Sequence, residues 1–241
     1  MKSEGQQFWT IGGGKGGVGK SFLTASMGVV LAGMGNSVIV VDADLGSANL
    51  HVFLGIKSPP RTLVDVLEGS ATPEEALLPT SQPGLRLLSC AADILGIANP
   101  EPSEKERIIG FISRLDADYI LVDLGAGTSY NVLDFFNMSN EGIIVASPDP
   151  ASIQSAYSFT KSSVYRRVQR KFSSNEVVVS ALNQLREVAG GTRPQTMMDF
   201  YDTLCASDPG LAEQVAATVD QYRPLIIVKL TRSYTCRISS L

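Results

Sequence analysis

The stretch that decides the fold is GKGGVGKS, which runs from Gly14 to Ser21. It satisfies the pattern G-x-x-x-x-G-K-[ST], in which glycines let backbone N–H groups turn inward around phosphate oxygens. A short apolar run, Gln7 to Ile11, precedes the stretch, and helix-forming residues follow from Lys20 to about Leu31. A strand, a glycine loop and a helix in this order are the context that the motif requires. The sequence therefore predicts a phosphate-binding loop, in preference to a merely structural glycine turn.

The residue types within this loop assign its chemistry. Lys20 is placed to reach the β- and γ-phosphates of a nucleotide, and Ser21 is placed to bind Mg²⁺. Further nucleotide contacts are predicted from the loop and from the start of the helix: Gly14, Gly16, Gly17, Val18, Gly19 and Phe22.

The order of the elements predicts an α/β fold. Apolar runs typical of buried strands occur at Ser37–Val41, Leu85–Ser89, Tyr119–Val122, Gly142–Ala146 and Pro224–Val228. Helical patterns lie between them, including Ile108–Leu115 behind a capping-box pattern at Ser103 and Glu106, and Ser152 to about Arg170. Alternating strands and helices predict a doubly wound, mainly parallel sheet with helices on both faces, in a single domain over residues 1–241.

Composition narrows the class of protein. Apolar residues make up 44% and charged residues 18% of the chain, and the net charge of −4 does not favour nucleic acid as a partner of the whole molecule. Cys90, Cys205 and Cys236 are scattered and form no C-x-x-C pair, which is typical of reduced thiols. No apolar run approaches the roughly 18 residues that span a bilayer, and the start has no apolar signal region. We therefore expect a cytoplasmic protein.

Three acidic residues follow predicted strands. Asp42 and Asp44 come after the run Ser37–Val41, and Asp123 comes after Tyr119–Val122. Carboxylates at the carboxyl edge of a parallel sheet face the ligand crevice. Asp123 is expected to reach Mg²⁺ through water. The alternative is that these residues are solvated turn carboxylates at the strand ends.

A second lysine in the loop gives a more specific signal. Lys15 produces the reading KGGVGKS, and with DADLGSANL and DLGAG the sequence resembles the MinD/ParA family of deviant Walker A ATPases over roughly Phe8–Tyr165. The resemblance implies that Lys15 crosses a dimer interface to the partner's nucleotide. It also implies that Asp44 positions the attacking water and that Asp42 lies near Mg²⁺. Lys15, Lys20 and Asp44 are thus the expected catalytic residues, and ATP and Mg²⁺ the expected cofactors.

The same resemblance implies a function. Family members hydrolyse ATP slowly, pair as homodimers in the ATP state, and place division sites, flagella, chromosomes or other cargo with the help of a protein activator. The residues of the motifs DADLGSANL and DLGAG are more similar to those of the flagellar-number regulators (FlhG, FleN, YlxH) than to those of plasmid ParA. The alternatives are a P-loop ATPase of metallocluster assembly, which needs paired cysteines, and a non-hydrolysing ATP-binding scaffold or a small-molecule kinase.

Two positions compete for the contact with the base. The family's adenine contact falls on Lys229 if Pro224–Val228 is the late strand, and on Asn183 if Glu176–Leu182 is a strand instead. The run Glu176–Leu185 is β-branched early but equally compatible with a helix. The following residues to Gln221 are mostly helical in composition.

The end of the chain and one basic cluster complete the expectations. The last residues, Arg232–Leu241, have little amphipathic character, so we expect no membrane anchor there. The resemblance also implies further elements after the strand at Leu225–Val228, so we expect a chain that lacks some carboxy-terminal elements of the family. Arg166, Arg167, Arg170 and Lys171 form a basic cluster on a predicted helix. It is either a solvated helix end or a patch for DNA, anionic lipid or a partner.

Overall fold

The central layer is a sheet, and the computed structural model describes residues 5–46, 48–90, 100–187 and 196–229 around it. Within these ranges the sheet has seven strands in the order β3-β4-β2-β5-β1-β6-β7. The strands are β1 (Gln7–Gly12), β2 (Val38–Ala43), β3 (Leu77–Pro79), β4 (Leu85–Ser89), β5 (Tyr119–Leu124), β6 (Ile143–Ala146) and β7 (Leu225–Val228). All neighbouring pairs are parallel except β3 with β4.

Helices connect and cover these strands. They are α1 (Lys20–Gly33), α2 (Leu50–Phe53), α3 (Leu63–Leu67), α4 (Pro73–Ala76), α5 (Pro102–Ile112), α6 (Tyr130–Phe136), α7 (Pro150–Lys171), α8 (Glu176–Glu187), α9 (Met197–Ser207) and α10 (Pro209–Asp220). In the part of the chain that the structure describes, no helix is long and apolar enough to cross a bilayer.

Both faces of the central strands are buried, whereas the edge strand β7 is largely exposed, and this arrangement confirms the predicted doubly wound α/β fold. Successive residues of β2 alternate between two core clusters: Ile39 and Val41 lie in one, and Val38 and Val40 lie in the other. The first cluster includes residues of α5, α6 and α7, and the second includes residues of α1. A strand buried on both faces reads as a continuous apolar run, which is why β2 was recognisable from its sequence.

A third core cluster is made by helices alone. Val168 and Phe172, at the end of α7, pack with residues of α8, α9 and α10. The ambiguous run from Glu176 is therefore helical, and the alternative in which Glu176–Leu182 is a strand followed by Asn183 is wrong. The prediction of a single domain over residues 1–241 stays a prediction.

Several predicted boundaries differ from the structure. Helix α5 begins at Pro102 and its capping box is formed by Glu101 and Glu104, so the pair predicted at Ser103 and Glu106 was wrong. Proline fits the first helical position because it needs no N–H donor there, and this sets the start. Strand β3 escaped prediction because three residues show no period. Arg232–Leu241, including Cys236, lies outside the described residues.

Candidate nucleotide-binding site

The glycine loop joins the end of β1 to the start of α1. Gly19 is the residue before α1 and has a φ of 96°, a left-handed conformation that glycine adopts without steric cost. Gly14 lies against α7, where an added Cβ would be 2.5 Å from the carbonyl oxygen of Ser155. The free N–H groups at the start of α1 carry partial positive charge, so this loop is suited to bind phosphate.

Lys20 is the cation of this site. Its side chain is buried, and burial lowers its pKa, while the negative charges of Asp123 and Asp44 act in the opposite direction. A buried ammonium needs an anionic partner, and phosphate oxygens supply one. The predicted role of Lys20 therefore agrees with its surroundings.

Two carboxylates lie side by side at the ends of neighbouring strands. The parallel register of β2 and β5 places Asp42 opposite Asp123, and both side chains are buried. Burial raises the pKa of Asp123 to about 6, against the hydroxyl groups of Ser21 and Thr24 and the charge of Lys20. The Thr24 hydroxyl donates to Oδ1 of Asp123 over 3.1 Å.

Asp42 is held by backbone donors. Its Oδ2 accepts from the N–H of Leu50 at 2.9 Å, and its Oδ1 accepts from the N–H of Asp44 at 3.4 Å. Burial raises the pKa of Asp42 to about 7, against these two hydrogen bonds and with help from the charge of Asp123.

The donor set fits Mg²⁺ together with phosphates. The described ranges contain no cluster of three or more histidine, cysteine, aspartate or glutamate side chains that could hold a metal by themselves. Mg²⁺ is ordinarily bound by one or two carboxylates, waters and substrate phosphates, so it does not need such a cluster. Asp123 with the Ser21 hydroxyl beside it matches this pattern, and Asp42 is the second predicted carboxylate.

Asp44 lies under the loop that follows β5. A Cβ added to Gly125 would be 3.1 Å from Oδ1 of Asp44, so only a residue without a side chain passes there without displacement. The N–H of Gly127 donates to the carbonyl of Gly13 at 3.2 Å, which ties this loop to the phosphate loop. Asp44 and Lys20 line one cavity of about 470 Å³, a size typical of small-molecule sites.

Lys15 forms its ion pair away from Lys20 and the two buried carboxylates. Its Nζ lies 3.0 Å from Oδ1 of Asp149, and both side chains are 43% exposed. Asp149 also accepts from the Ser147 hydroxyl at 2.6 Å and from the N–H of Ser152 at 2.9 Å, at the start of α7. These two hydrogen bonds and Lys15 lower the pKa of Asp149 to about 2. The second lysine of the loop is therefore held by an exposed ion pair.

Of the two residues predicted as alternatives for the contact with the base, Lys229 is the one that lies beside the phosphate loop. It follows β7, its Nζ lies 4.7 Å from the centre of the Phe22 ring, and the same Nζ lies 2.8 Å from the position of a Cβ on Gly19. Asn183 is exposed on α8. Sequence reasoning missed Phe53, which meets Phe22 edge-on with ring centres 6.4 Å apart. Its only signal was an aromatic residue on a short helix after Asp44.

The basic cluster does not form one open surface. Arg166 donates from Nε and Nη2 to the two carboxylate oxygens of Asp134 at 2.6 and 2.7 Å, and Arg170 lies 3.3 Å from the same carboxylate. The interpretation of the cluster as a solvated helix end is wrong for Arg166 and Arg170, and a patch for DNA, anionic lipid or a partner stays a prediction. At least two of the four are bound by a buried acid inside the protein.

A glycine loop between β1 and α1 that encloses a buried lysine beside two strand-end carboxylates defines a P-loop NTPase. The family model described as ParA, NUBPL iron-transfer P-loop NTPase, matches residues 5–169. The chain belongs to the ParA family, and the predicted resemblance to the MinD/ParA family is confirmed.

Individual relatives agree with this assignment. The antiactivator FleN of Pseudomonas aeruginosa is 34% identical over 157 residues, which are 64% of this chain and 55% of FleN. The flagellum site-determining protein YlxH of Helicobacter pylori is 36% identical over 159 residues, 64% of this chain and 53% of YlxH. The chain thus spans little more than half the length of these relatives.

A solved structure supports the fold. The septum site-determining protein MinD complexed with Mg-ADP, from Pyrococcus horikoshii, matches with a TM-score of 0.57 and 31% identity. The match covers 64% of this chain and 63% of that one.

Proposed function

We propose that this chain is a cytoplasmic ATPase that binds Mg-ATP, pairs with a second copy of itself in the ATP state, and acts as a spatial-positioning switch. The observation that carries the proposal is the position of Lys15. It belongs to the phosphate loop, yet its ion pair is with Asp149 at the surface and not with the buried group around Lys20. A half-exposed ion pair contributes little to stability, so Lys15 is free to exchange Asp149 for a phosphate on a second chain.

The residues around Asp44 support slow hydrolysis. We infer that Lys20 binds the β- and γ-phosphates, that Ser21, Asp123 and Asp42 hold Mg²⁺, and that Asp44 orients water. Mg²⁺, when bound, neutralises charge on the phosphates. Asp44 lies at the cavity wall beside Gly125, where a carboxylate can accept a hydrogen bond from water next to the terminal phosphate.

Similarity to FleN, YlxH and MinD supports an output in cell organisation. Flagellar placement, choice of division site and cargo partitioning are the forms that the proposal takes, with a protein activator or cargo as partner.

The alternative is an ATPase of metallocluster assembly, which would need cysteines that can bind a metal, and the described cysteines support this function poorly. The matched family model is described by iron transfer, but Cys90 is buried, and burial raises the pKa of its thiol. Cys205 belongs to α9, among the helices of the third core cluster. Cys90 is not an exposed, low-pKa metal ligand, and Cys205 is half-buried, so positioning remains our proposal.

Molar mass in solution tests the proposal. We would measure light scattering of the Asp44→Ala variant with Mg-ATP and with Mg-ADP, because loss of hydrolysis should trap the ATP state. We expect a dimer with ATP and a monomer with ADP. Adding Lys15→Ala should abolish pairing while a fluorescent ATP analogue still binds, and this also separates the switch from a kinase or a scaffold, which need no such lysine.

Lys57→Ala is the matched control, since Lys57 is an exposed lysine outside the loop. Pairing that survives Lys15→Ala, or a monomer in both nucleotides with ATP demonstrably bound, would refute the proposed dimer switch.

A further inference from the structure

A second cavity lies away from the nucleotide site. It has a volume of about 360 Å³ and is formed by α7, the end of α10 and the residues after α6. We call it the α7–α10 cleft. Its polar lining consists of Asp134, Asn137, Arg167, Arg170, Lys171, Thr218 and Gln221. None of these residues lines the cavity around Lys20.

One buried acid organises the charges beside this cleft. The side chain of Asp134 is fully buried and bound by Lys105, Arg166 and Arg170. Arg170 also lies 2.6 Å from Oε1 of Glu106. Three cations therefore share two carboxylates, which leaves this group with a positive excess before the other lining residues are considered.

Arg167 and Lys171 add two further cations with neutral partners. Arg167 stacks over the Tyr222 ring at 5.3 Å and donates to the carbonyl of Ser139 at 3.5 Å and to the side-chain oxygen of Asn140. Lys171 donates to the Thr218 hydroxyl at 2.9 Å. Among the described residues, neither cation forms an ion pair with a carboxylate.

Arg167 is the cation of this group whose charged form burial disfavours. Its guanidinium is partly buried, and burial lowers its pKa. Three cations, Arg167, Arg170 and Lys171, line the cleft together with one carboxylate, that of Asp134, so an anionic group placed there would balance positive charge that the described residues leave uncompensated.

Asn137 adds a requirement that a simple anion does not meet. Its side-chain N–H donates to the carbonyl of Ser163 at 3.0 Å, which fixes the orientation of the amide. The amide oxygen, Oδ1, is buried and has no donor within the described part of the chain. An inorganic phosphate brings oxygens to the cleft, whereas a peptide brings both a carboxylate and backbone N–H groups.

We propose that the α7–α10 cleft binds an acidic peptide segment of a partner protein, with a Glu or Asp carboxylate at Arg167 and Lys171 and a backbone N–H at Asn137. The concave shape and the internal pairing of Arg166 and Arg170 favour this occupant over a DNA duplex or a lipid surface, which need a row of open charges. The site requires neither nucleotide nor pairing of two chains. Its test is therefore independent of the proposed ATPase.

The binding experiment uses the nucleotide-free full chain at low ionic strength. The probe is a fluorescein-labelled peptide of alternating glutamate and glycine, followed by anisotropy, and the matched peptide replaces each glutamate with glutamine. We expect binding of the first peptide only. Arg167→Gln and Lys171→Gln should each weaken it about tenfold, the effect of losing one charge-assisted hydrogen bond.

Two further variants keep the result interpretable. Gln221→Glu adds a negative charge at the exposed rim of the cleft with almost no change in shape, so it should weaken binding without disturbing the fold. Lys161→Gln removes the same charge from an exposed lysine of α7 that does not line the cleft, and it should bind within about twofold of the unchanged protein. Thermal melting of each variant establishes that it is folded.

Several outcomes would overturn the proposal. Equal binding of the glutamate and glutamine peptides is one, and unchanged affinity in Arg167→Gln is another. Displacement of the peptide by equimolar inorganic phosphate would reduce the cleft to a general anion site. Binding of duplex DNA or anionic phospholipid vesicles that is lost in the Arg167 and Lys171 variants, with no peptide binding, would assign these cations to a surface instead.

Discussion

Replacing Gly14 by alanine should disturb the phosphate loop from the side that faces α7. The added Cβ would lie 2.5 Å from the carbonyl oxygen of Ser155, in the backbone of α7. Ordinary contact begins near 3.4 Å, so the loop and the helix must separate by about 0.9 Å. The obstacle is backbone, so no side-chain rotation relieves it.

The expected magnitude follows from this overlap. Inserting a methyl group into a closely packed position costs about 1–3 kcal/mol of folding free energy. If the loop moves, its N–H groups leave their positions around the phosphates. The same strain then appears as a loss of nucleotide affinity of about 5- to 150-fold, at 1.4 kcal/mol for each factor of ten.

Gly16→Ala provides a control in the same loop. A Cβ at Gly16 would meet only the Cβ of Ala126, at 3.8 Å, which is ordinary contact. We would measure urea unfolding of both nucleotide-free variants, and titrate each with a fluorescent ATP analogue. Gly16→Ala should change the unfolding free energy by less than about 1 kcal/mol. Equal stability of the two variants, or full nucleotide affinity in Gly14→Ala, would refute the reasoning.

Three further predictions concern buried charges and the base contact. The pKa values of Asp42, about 7, and Asp123, about 6, lie above the ordinary value of 3.8, so the folded state keeps protons that the unfolded chain has lost. The unfolding free energy of the nucleotide-free protein should therefore fall as pH rises from about 4 to 7, and Mg²⁺-dependent ATP affinity should rise between pH 5.5 and 8 because Mg²⁺ displaces these protons. Urea unfolding and analogue titration across pH check both, and a flat profile in each would contradict the raised pKa values. Asp134→Asn should lower the unfolding free energy by about 3 kcal/mol or more, since it leaves buried cations without their carboxylate, and a loss below about 1 kcal/mol in urea unfolding would contradict that role. The Lys229 ammonium can only donate hydrogen bonds, and it rests over the Phe22 ring. Lys229→Asn should therefore change the ratio of the affinities for ATP and GTP in favour of ATP, as measured by competition binding. An unchanged ratio would place Lys229 away from the base.

The parts of the site that depend on local sequence could be predicted. The phosphate loop has a motif and a flanking strand and helix, and Asp42 and Asp123 end apolar runs whose parallel register brings them together. Lys15 was identified by its place in the loop, but its partner Asp149 is 134 residues away and no local pattern links them.

The arrangement around Asp134 shows why the rest was not predictable. Asp134 lies within α6, and its partners Lys105 and Arg166 come from α5 and α7, 29 and 32 residues away. Charged residues on separate helices usually face solvent, so the sequence alone favoured an exposed basic cluster. Helix α8 escaped for a related reason, because packing against α7 and α9 outweighs the β-branched start of its sequence.

Helix α7 lies where the region matched by the family model, residues 5–169, meets the helices that follow it. The family match ends at residue 169, near the end of α7, while α8, α9 and α10 pack on its last turns. Asp149, the partner of Lys15, is the residue just before the same helix, and Ser155 near its start contacts the loop at Gly14. The helices beyond the matched region therefore pack on the same helix that contacts the phosphate loop.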